Sequence, residues 1–282
     1  MSNIDPFRIR ALVPEYEALD AGFASASAAT RAKHRSQLDI HYGAEPRQCL
    51  DLFFPADFVE PAPIHLFIHG GYWRANTKES FAFPAETIVA EGAIAAIVEY
   101  TLMPGARVAQ LVNEARSAAT WLATHAAEFG GDASRISASG HSAGAHLASY
   151  LAAKAPHEHT FPATPVRSLL LLSGIYDLRP IATSFLQPEL QLTPEEVAEW
   201  SPLEAEQLSG PSVVLAVGHQ ETEPFHLQAQ DLCFAAARRG VAIERLTIPD
   251  HDHMTIVRDL GVPGTRMAGL LAECIAASRG ER

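Results

Sequence analysis

Cysteine, positive charge and long apolar runs are all scarce in this chain of 282 residues. Its three cysteines (Cys49, Cys233, Cys274) are an odd number without metal-like spacing, which excludes a disulfide framework or a thiolate metal site. They read as reduced residues packed inside, as expected of a cytoplasmic protein. No apolar run approaches the ~18 residues that a membrane span requires, and "SLLLLSGI" falls far short. The opening "MSNIDPFRIRALVPEYEALD" carries acids and prolines and lacks the apolar centre of a secretory leader. Lysine and arginine total 21 against 33 acids, a net charge of −12. That balance disfavours nucleic acid and anionic membrane as partners and leaves a small neutral or cationic molecule as the expected ligand. A homodimer stays open.

Internal repeats, low-complexity blocks and Gly/Ser linkers are absent too. With 48% hydrophobic residues, the chain can bury one large core, and a single unit over 1–282 is expected. Residues 1–35 look helical and loop-like. After them, strand-like and helix-like segments alternate. "SQLDIHYG" and "CLDLFFP" alternate polar and apolar residues, as an edge hairpin would. "IHLFIHGG", "AIAAIVEYTLMP", "RISASG", "VRSLLLLSG", "PSVVLAVG" and "AIERLTIP" read as strands. "RVAQLVNEARSAATWLATHAAEF" repeats its apolar positions every three to four residues and reads as a long helix, and "AGAHLASYLAAKA" as another. Buried strands alternating with helices imply an α/β fold with a mostly parallel sheet covered on both faces. Residues 179–210 break the alternation, as a cap-like excursion over the carboxyl edge of the sheet would.

Chemistry concentrates in "GHSAG". A Gly-x-Ser-x-Gly pattern occurs by chance in roughly one chain in ten of this length, so the context decides. Here it follows a strand and precedes a helix former. A sharp strand-to-helix turn exposes Ser142, needs glycine beside it, and leaves the Ala143 N–H free for an oxyanion. In "FIHGGYW", Gly70 and Gly71 follow an apolar strand and can present further amides. A serine nucleophile needs a base, and the base needs a carboxylate to hold its tautomer. His141 sits beside Ser142 on a turn whose neighbours diverge, and His146 lies one helical turn on, where it packs locally. His157 and His159 resemble a metal pair without a third ligand and read as a solvated loop. "PDHDHMTIV" offers His251 and His253. The helical segment directly after His253 would anchor it, which favours His253. Glu221, just beyond the strand "PSVVLAVG", is the preferred acid, and Asp177 in "SGIYDLRP" is its rival.

"HGGYW", "GHSAGAHL", "VGHQETEPFHLQ" and "HDHMTIV", in that order, resemble the kynurenine formamidase (arylformamidase) branch of the α/β-hydrolase esterases. The resemblance runs from about residue 36 to the C-terminus. It implies an α/β-hydrolase fold, with Ser142 as nucleophile, Glu221 as acid and His253 as base. It further implies Gly70, Gly71 and Ala143 as oxyanion donors and Tyr72 and Trp73 as the pocket lining. No metal or organic cofactor is required. The acid is often aspartate in that branch and is glutamate here. Two large aromatics beside the oxyanion loop would shrink the acyl space, suiting a formyl or acetyl group on an aromatic leaving group.

Overall fold

The structure, a computed structural model, describes residues 4–57 and 59–280. Ten strands form among the described residues: β1 Ser36–His41, β2 Cys49–Phe53, β3 Ala62–Ile68, β4 Ile94–Val98, β5 Gly131–His141, β6 Ala153–Lys154, β7 Val166–Leu172, β8 Glu206–Gln207, β9 Ser212–Gly218 and β10 Glu244–Ile248. Eight of them make one sheet in the order β1-β2-β4-β3-β5-β7-β9-β10. From β4 to β10 every pairing is parallel, while β2 joins β4 antiparallel and β1 closes the edge as an antiparallel hairpin. Every residue of β2, β3 and β4 is buried. Successive side chains point to opposite faces, so strands buried throughout must be covered on both. The helix Val108–His125 buries Val108, Leu111, Val112, Ala115, Ala118, Ala119 and Leu122, the stripe that its periodicity sets. Among the described residues no helix is long and apolar enough to cross a membrane.

One element departs from the sequence reading. The helix after Ser142 spans only Ala143–Ser149 and does not continue to Ala155. Residues 153–154 instead pair with β8, and the Arg116 guanidinium takes the carbonyls of Tyr150 and Ala153 that a longer helix would use. Sheet pairing and a half-buried arginine outweigh the helix propensity of alanine. The excursion at 179–210 forms short turns and the helix Pro194–Trp200, begun by a capping box from Thr193 to Glu196.

The helix Tyr16–Lys33 buries only Phe23, Ser27 and Thr30, and Phe23 packs on the rings of Phe81 and Phe83. It is held by charge as well as by packing. Asp51 of β2 is fully buried and pairs with Arg31 and with the Lys78 ammonium at 2.9 Å. Lys78 also meets Asp39 and Glu79, each at 2.6 Å. Burial opposes the Lys78 charge, yet the hydrogen bonds from three carboxylates outweigh it and raise the ammonium pKa.

All the segments carrying the motifs leave the carboxyl ends of neighbouring strands. β3 runs into Gly70, β5 into Ser142, β7 into Ser173, β9 into Glu221 and β10 into His253. Their adjacency in the sheet brings residues far apart in sequence to one edge, where ligands bind in open α/β sheets.

Candidate active site

Ser142 has φ 55° and ψ −119°, a backbone state that costs an L-residue on the order of 1–3 kcal/mol. Its neighbours hold it there. The Ser142 N–H donates to the Leu172 carbonyl at 2.8 Å. A Cβ at Gly140 would lie 2.3 Å from the Gly144 carbonyl oxygen, and one at Gly144 would lie 2.1 Å from that of Ile68. Neither contact is possible for a side chain, so both glycines are requirements of this turn.

The oxyanion loop is oriented through its carbonyls. Tyr100 Oη donates to the His69 carbonyl at 3.0 Å, and Asn76 Nδ2 to that of Gly70 at 3.2 Å. A planar trans peptide points its N–H opposite its C=O, so the Gly70 and Gly71 amides face away from these donors. None of the hydrogen bonds found among the described residues uses the N–H of Gly70, Gly71 or Ala143. Behind the loop, His69 Nε2 lies 3.0 Å from Glu99, which also accepts from Arg47. Burial would raise the Glu99 pKa, but the bonds from His69, the Tyr100 amide and Arg47 prevail and lower it.

Opposite stands His253, buried, with Nδ1 2.7 Å from Glu221 Oε2. The Glu221 side chain is fully buried, and its other oxygen accepts from the Gly218 N–H at 2.7 Å and from the Ser173 hydroxyl. With Oε1 occupied by two donors, Oε2 is left to the imidazole. The rings of Phe225 and His141 flank His253 at centroid distances of 4.6 and 4.7 Å. His141 Nε2 bonds to the His253 carbonyl at 2.8 Å. Burial first and the nearby His253 second hold the His141 pKa well below its usual value, so His141 is a neutral donor that steadies the base loop.

Ser142, His253, Gly70, Gly71 and Tyr72 line one cavity of about 50 Å³, together with His141, Phe81, Met254, Asn76 and three N-terminal residues, Ile9, Tyr16 and Asp20. It adjoins an outer vestibule of about 480 Å³ lined in part by Tyr16, Tyr72, Arg8, Asp20, Arg74 and Phe185.

The rivals lie elsewhere. His251 has Nδ1 on the Pro249 carbonyl and Nε2 on Asp259 at 3.0 Å. Asp177 is engaged by the Arg179 guanidinium at 2.9 Å. His157 lies edge-on to Trp200, and His146 bonds to the Trp200 carbonyl, its pKa lowered by burial to about 4. Trp73, expected in the pocket, is fully buried with its Nε1–H on His146 Nδ1 at 3.3 Å and lines neither cavity. Both Tyr72 and Trp73 have positive φ, 49° and 58°, and this turn sends the indole into the core while the Tyr72 ring stays at the cavity. Of the excursion at 179–210, Phe185 reaches the vestibule and no residue reaches the inner cavity. Sequence reasoning missed the N-terminal wall and Ser173. Ser173 had a signal, since it follows a strand beside the acid's own strand. Ile9 had none, because nothing local ties it to Ser142.

Comparison with known proteins agrees with this fold. Residues 50–171 match the BD-FAE family model. The chain is 26% identical to a kynurenine formamidase of Danio rerio, covering 88% of this chain and 85% of the relative. It is 28% identical to a kynurenine formamidase of Salmo salar, over 82% and 79%. Among solved structures, a provisionally designated thioesterase from Silicibacter sp. superposes with a TM-score of 0.83 at 24% identity, over 98% and 99% of the two chains. An esterase from Pyrobaculum calidifontis does so with 0.73 at 19%, over 100% and 99%.

Proposed function

Because the chain belongs to the kynurenine formamidase-like branch of the α/β-hydrolase superfamily and is a serine hydrolase of amides or esters, we propose that it removes a short acyl group, formyl or acetyl, from an aromatic amine such as N-formylkynurenine. His253 takes the Ser142 proton as the serine attacks the carbonyl. The Gly70, Gly71 and Ala143 amides receive the tetrahedral oxyanion, each such donor contributing roughly 3–4 kcal/mol to the transition state. Glu221 stabilises the imidazolium, which then protonates the leaving group. Water repeats the sequence on the acyl-enzyme and regenerates Ser142.

The observation that carries this reading is the inner cavity. It joins an elbow serine, a carboxylate-held histidine and two unused glycine amides in about 50 Å³. A water needs about 10–15 Å³ of such space, so a carbonyl with one small substituent fills it. The vestibule, with Tyr16, Tyr72 and Phe185 in its wall, suits an aromatic leaving group that carries polar substituents. The reading is tested by hydrolysis of N-formylkynurenine and p-nitrophenyl acetate side by side, with Ser142→Ala as control. A tenfold or greater kcat/KM advantage for the formamide, about 1.4 kcal/mol, upholds it. Turnover of the activated ester alone makes the protein a short-chain carboxylesterase. Undiminished activity of Ser142→Ala refutes the mechanism itself.

A further inference from the structure

Half of the wall shared by the two cavities comes from the N-terminal segment, outside the α/β core. Residues 5–13 lie across the catalytic edge and are tied to three separate loops. Tyr72 Oη donates to the Phe7 carbonyl at 2.6 Å, Thr222 Oγ1 to that of Pro6 at 3.0 Å, and the Phe185 N–H to Asp5 Oδ2 at 2.7 Å. Phe7 packs edge-on against Phe225 at 5.9 Å, and Phe225 in turn flanks His253. The segment is thus anchored to the oxyanion loop, to the excursion at 179–210 and to the loop that carries the acid.

Six residues line both cavities: Ile9, Tyr16, Asp20, Gly71, Tyr72 and Asn76. They are not equivalent partitions. Gly71 has no side chain, the Tyr72 hydroxyl is fixed on Phe7, and Asn76 is committed to the Gly70 carbonyl. Tyr16 is half-buried and Asp20 is exposed, so both face the solvent side. Ile9 is the aliphatic side chain of the set and is 6% exposed. Branching at Cβ leaves such a side chain few rotamers, so it acts as a stiff wall rather than a movable one.

We propose that Ile9 sets the acyl length this protein accepts, closing the inner cavity just beyond a formyl or acetyl group. The assignment rests on the short-acyl reading above and adds a cause that the catalytic motifs do not contain. Tyr72 and Ile9 both line the chamber, and of the two only Ile9 leaves its side chain without a hydrogen-bond anchor. Truncating Ile9 to alanine removes three carbons and enlarges the chamber on the side that Ile9 lines. Each acyl methylene then able to leave water gains about fourfold in kcat/KM, from the ~0.8 kcal/mol value of a buried CH₂.

The test is an acyl series of p-nitrophenyl acetate, butyrate and hexanoate on the full-length protein, with Ile9→Ala, Ile9→Val and Val13→Ala. Val13 is buried on the same segment and lines neither cavity, so its truncation reports a general loosening. The wild type should lose at least tenfold in kcat/KM from acetate to butyrate. Ile9→Ala should raise the butyrate-to-acetate ratio at least tenfold, Ile9→Val about fourfold, and Val13→Ala less than twofold. If Ile9→Ala does not fold, the graded response of Ile9→Val decides. An unmoved ratio in the Ile9 variants of a short-acyl enzyme overturns this inference alone, as does an equal shift in Val13→Ala. A wild type that prefers hexanoate overturns the short-acyl reading and the inference together.

Discussion

Replacing Glu221 by glutamine tests the site through its hydrogen-bond arithmetic. Oε1 accepts from the Gly218 amide at 2.7 Å and from the Ser173 hydroxyl, while Oε2 faces His253 Nδ1 at 2.7 Å. A glutamine must set its oxygen where Oε1 was. The flipped amide would put NH₂ against the Gly218 N–H, leaving buried donors unpaired at about 1–3 kcal/mol each. In the preferred orientation the NH₂ therefore donates to His253 Nδ1. The imidazole then carries its proton on Nε2, the nitrogen that must receive the Ser142 proton, and the imidazolium loses its counter-charge. Replacing the acid of a serine triad by its amide in this way costs about 10⁴ in kcat, or about 5.5 kcal/mol. Expected for Glu221→Gln is a loss of about 10³–10⁴ in kcat on p-nitrophenyl acetate. Its thermal unfolding should stay close to that of the parent, because the side chain keeps its shape and both Oε1 donors. Asp177→Asn should stay within threefold of the parent, since Asp177 is engaged by Arg179. Activity of Glu221→Gln within tenfold of the parent, in a folded protein, would refute the assignment.

Three other outcomes are expected. Gly144→Ala places a methyl 2.1 Å from the Ile68 carbonyl, and the clash should cost at least 1–3 kcal/mol and displace Ser142 from its turn; an unchanged urea midpoint with full activity would show that the turn is not tight. Trp73→Phe leaves His146 Nδ1 without its donor and should cost about 1–3 kcal/mol in stability, with KM for an aromatic substrate changed less than twofold. A tenfold rise in KM at unchanged stability would put the indole against substrate. Lys78→Met strips the shared cation from Asp51, Asp39 and Glu79, which should cost about 3–5 kcal/mol and lower Tm by roughly 6–20 °C in scanning calorimetry; a drop below 3 °C would mean that Arg31 alone balances Asp51.

Short-range geometry explains how much could be read without the structure. Whether Ser142 can stand on a turn depends on Gly140 and Gly144, two residues to either side, and the alternation of buried strands with an amphipathic helix is equally local. Those features, and with them an α/β fold with a mostly parallel sheet, are legible in the residues themselves. The choice between Glu221 and Asp177, or between His253 and His251, is not, because it depends on which loops of neighbouring strands meet at the sheet edge. Tyr72 and Trp73 make the same point at closer range. Adjacent and both aromatic, they separate because consecutive positive φ angles turn one ring to the cavity and the other to His146. The helix expected to continue to Ala155 stops at Ser149 because β8, some fifty residues later, pairs with residues 153–154. Ile9 reaches the nucleophile only through anchors on Tyr72, Phe185 and Thr222. Local backbone sterics and periodicity, acting over a few residues, determine the nucleophile and the fold. The acid, the base and the size of the chamber are decided by contacts between distant segments, which only the packed sheet brings within a hydrogen bond of one another.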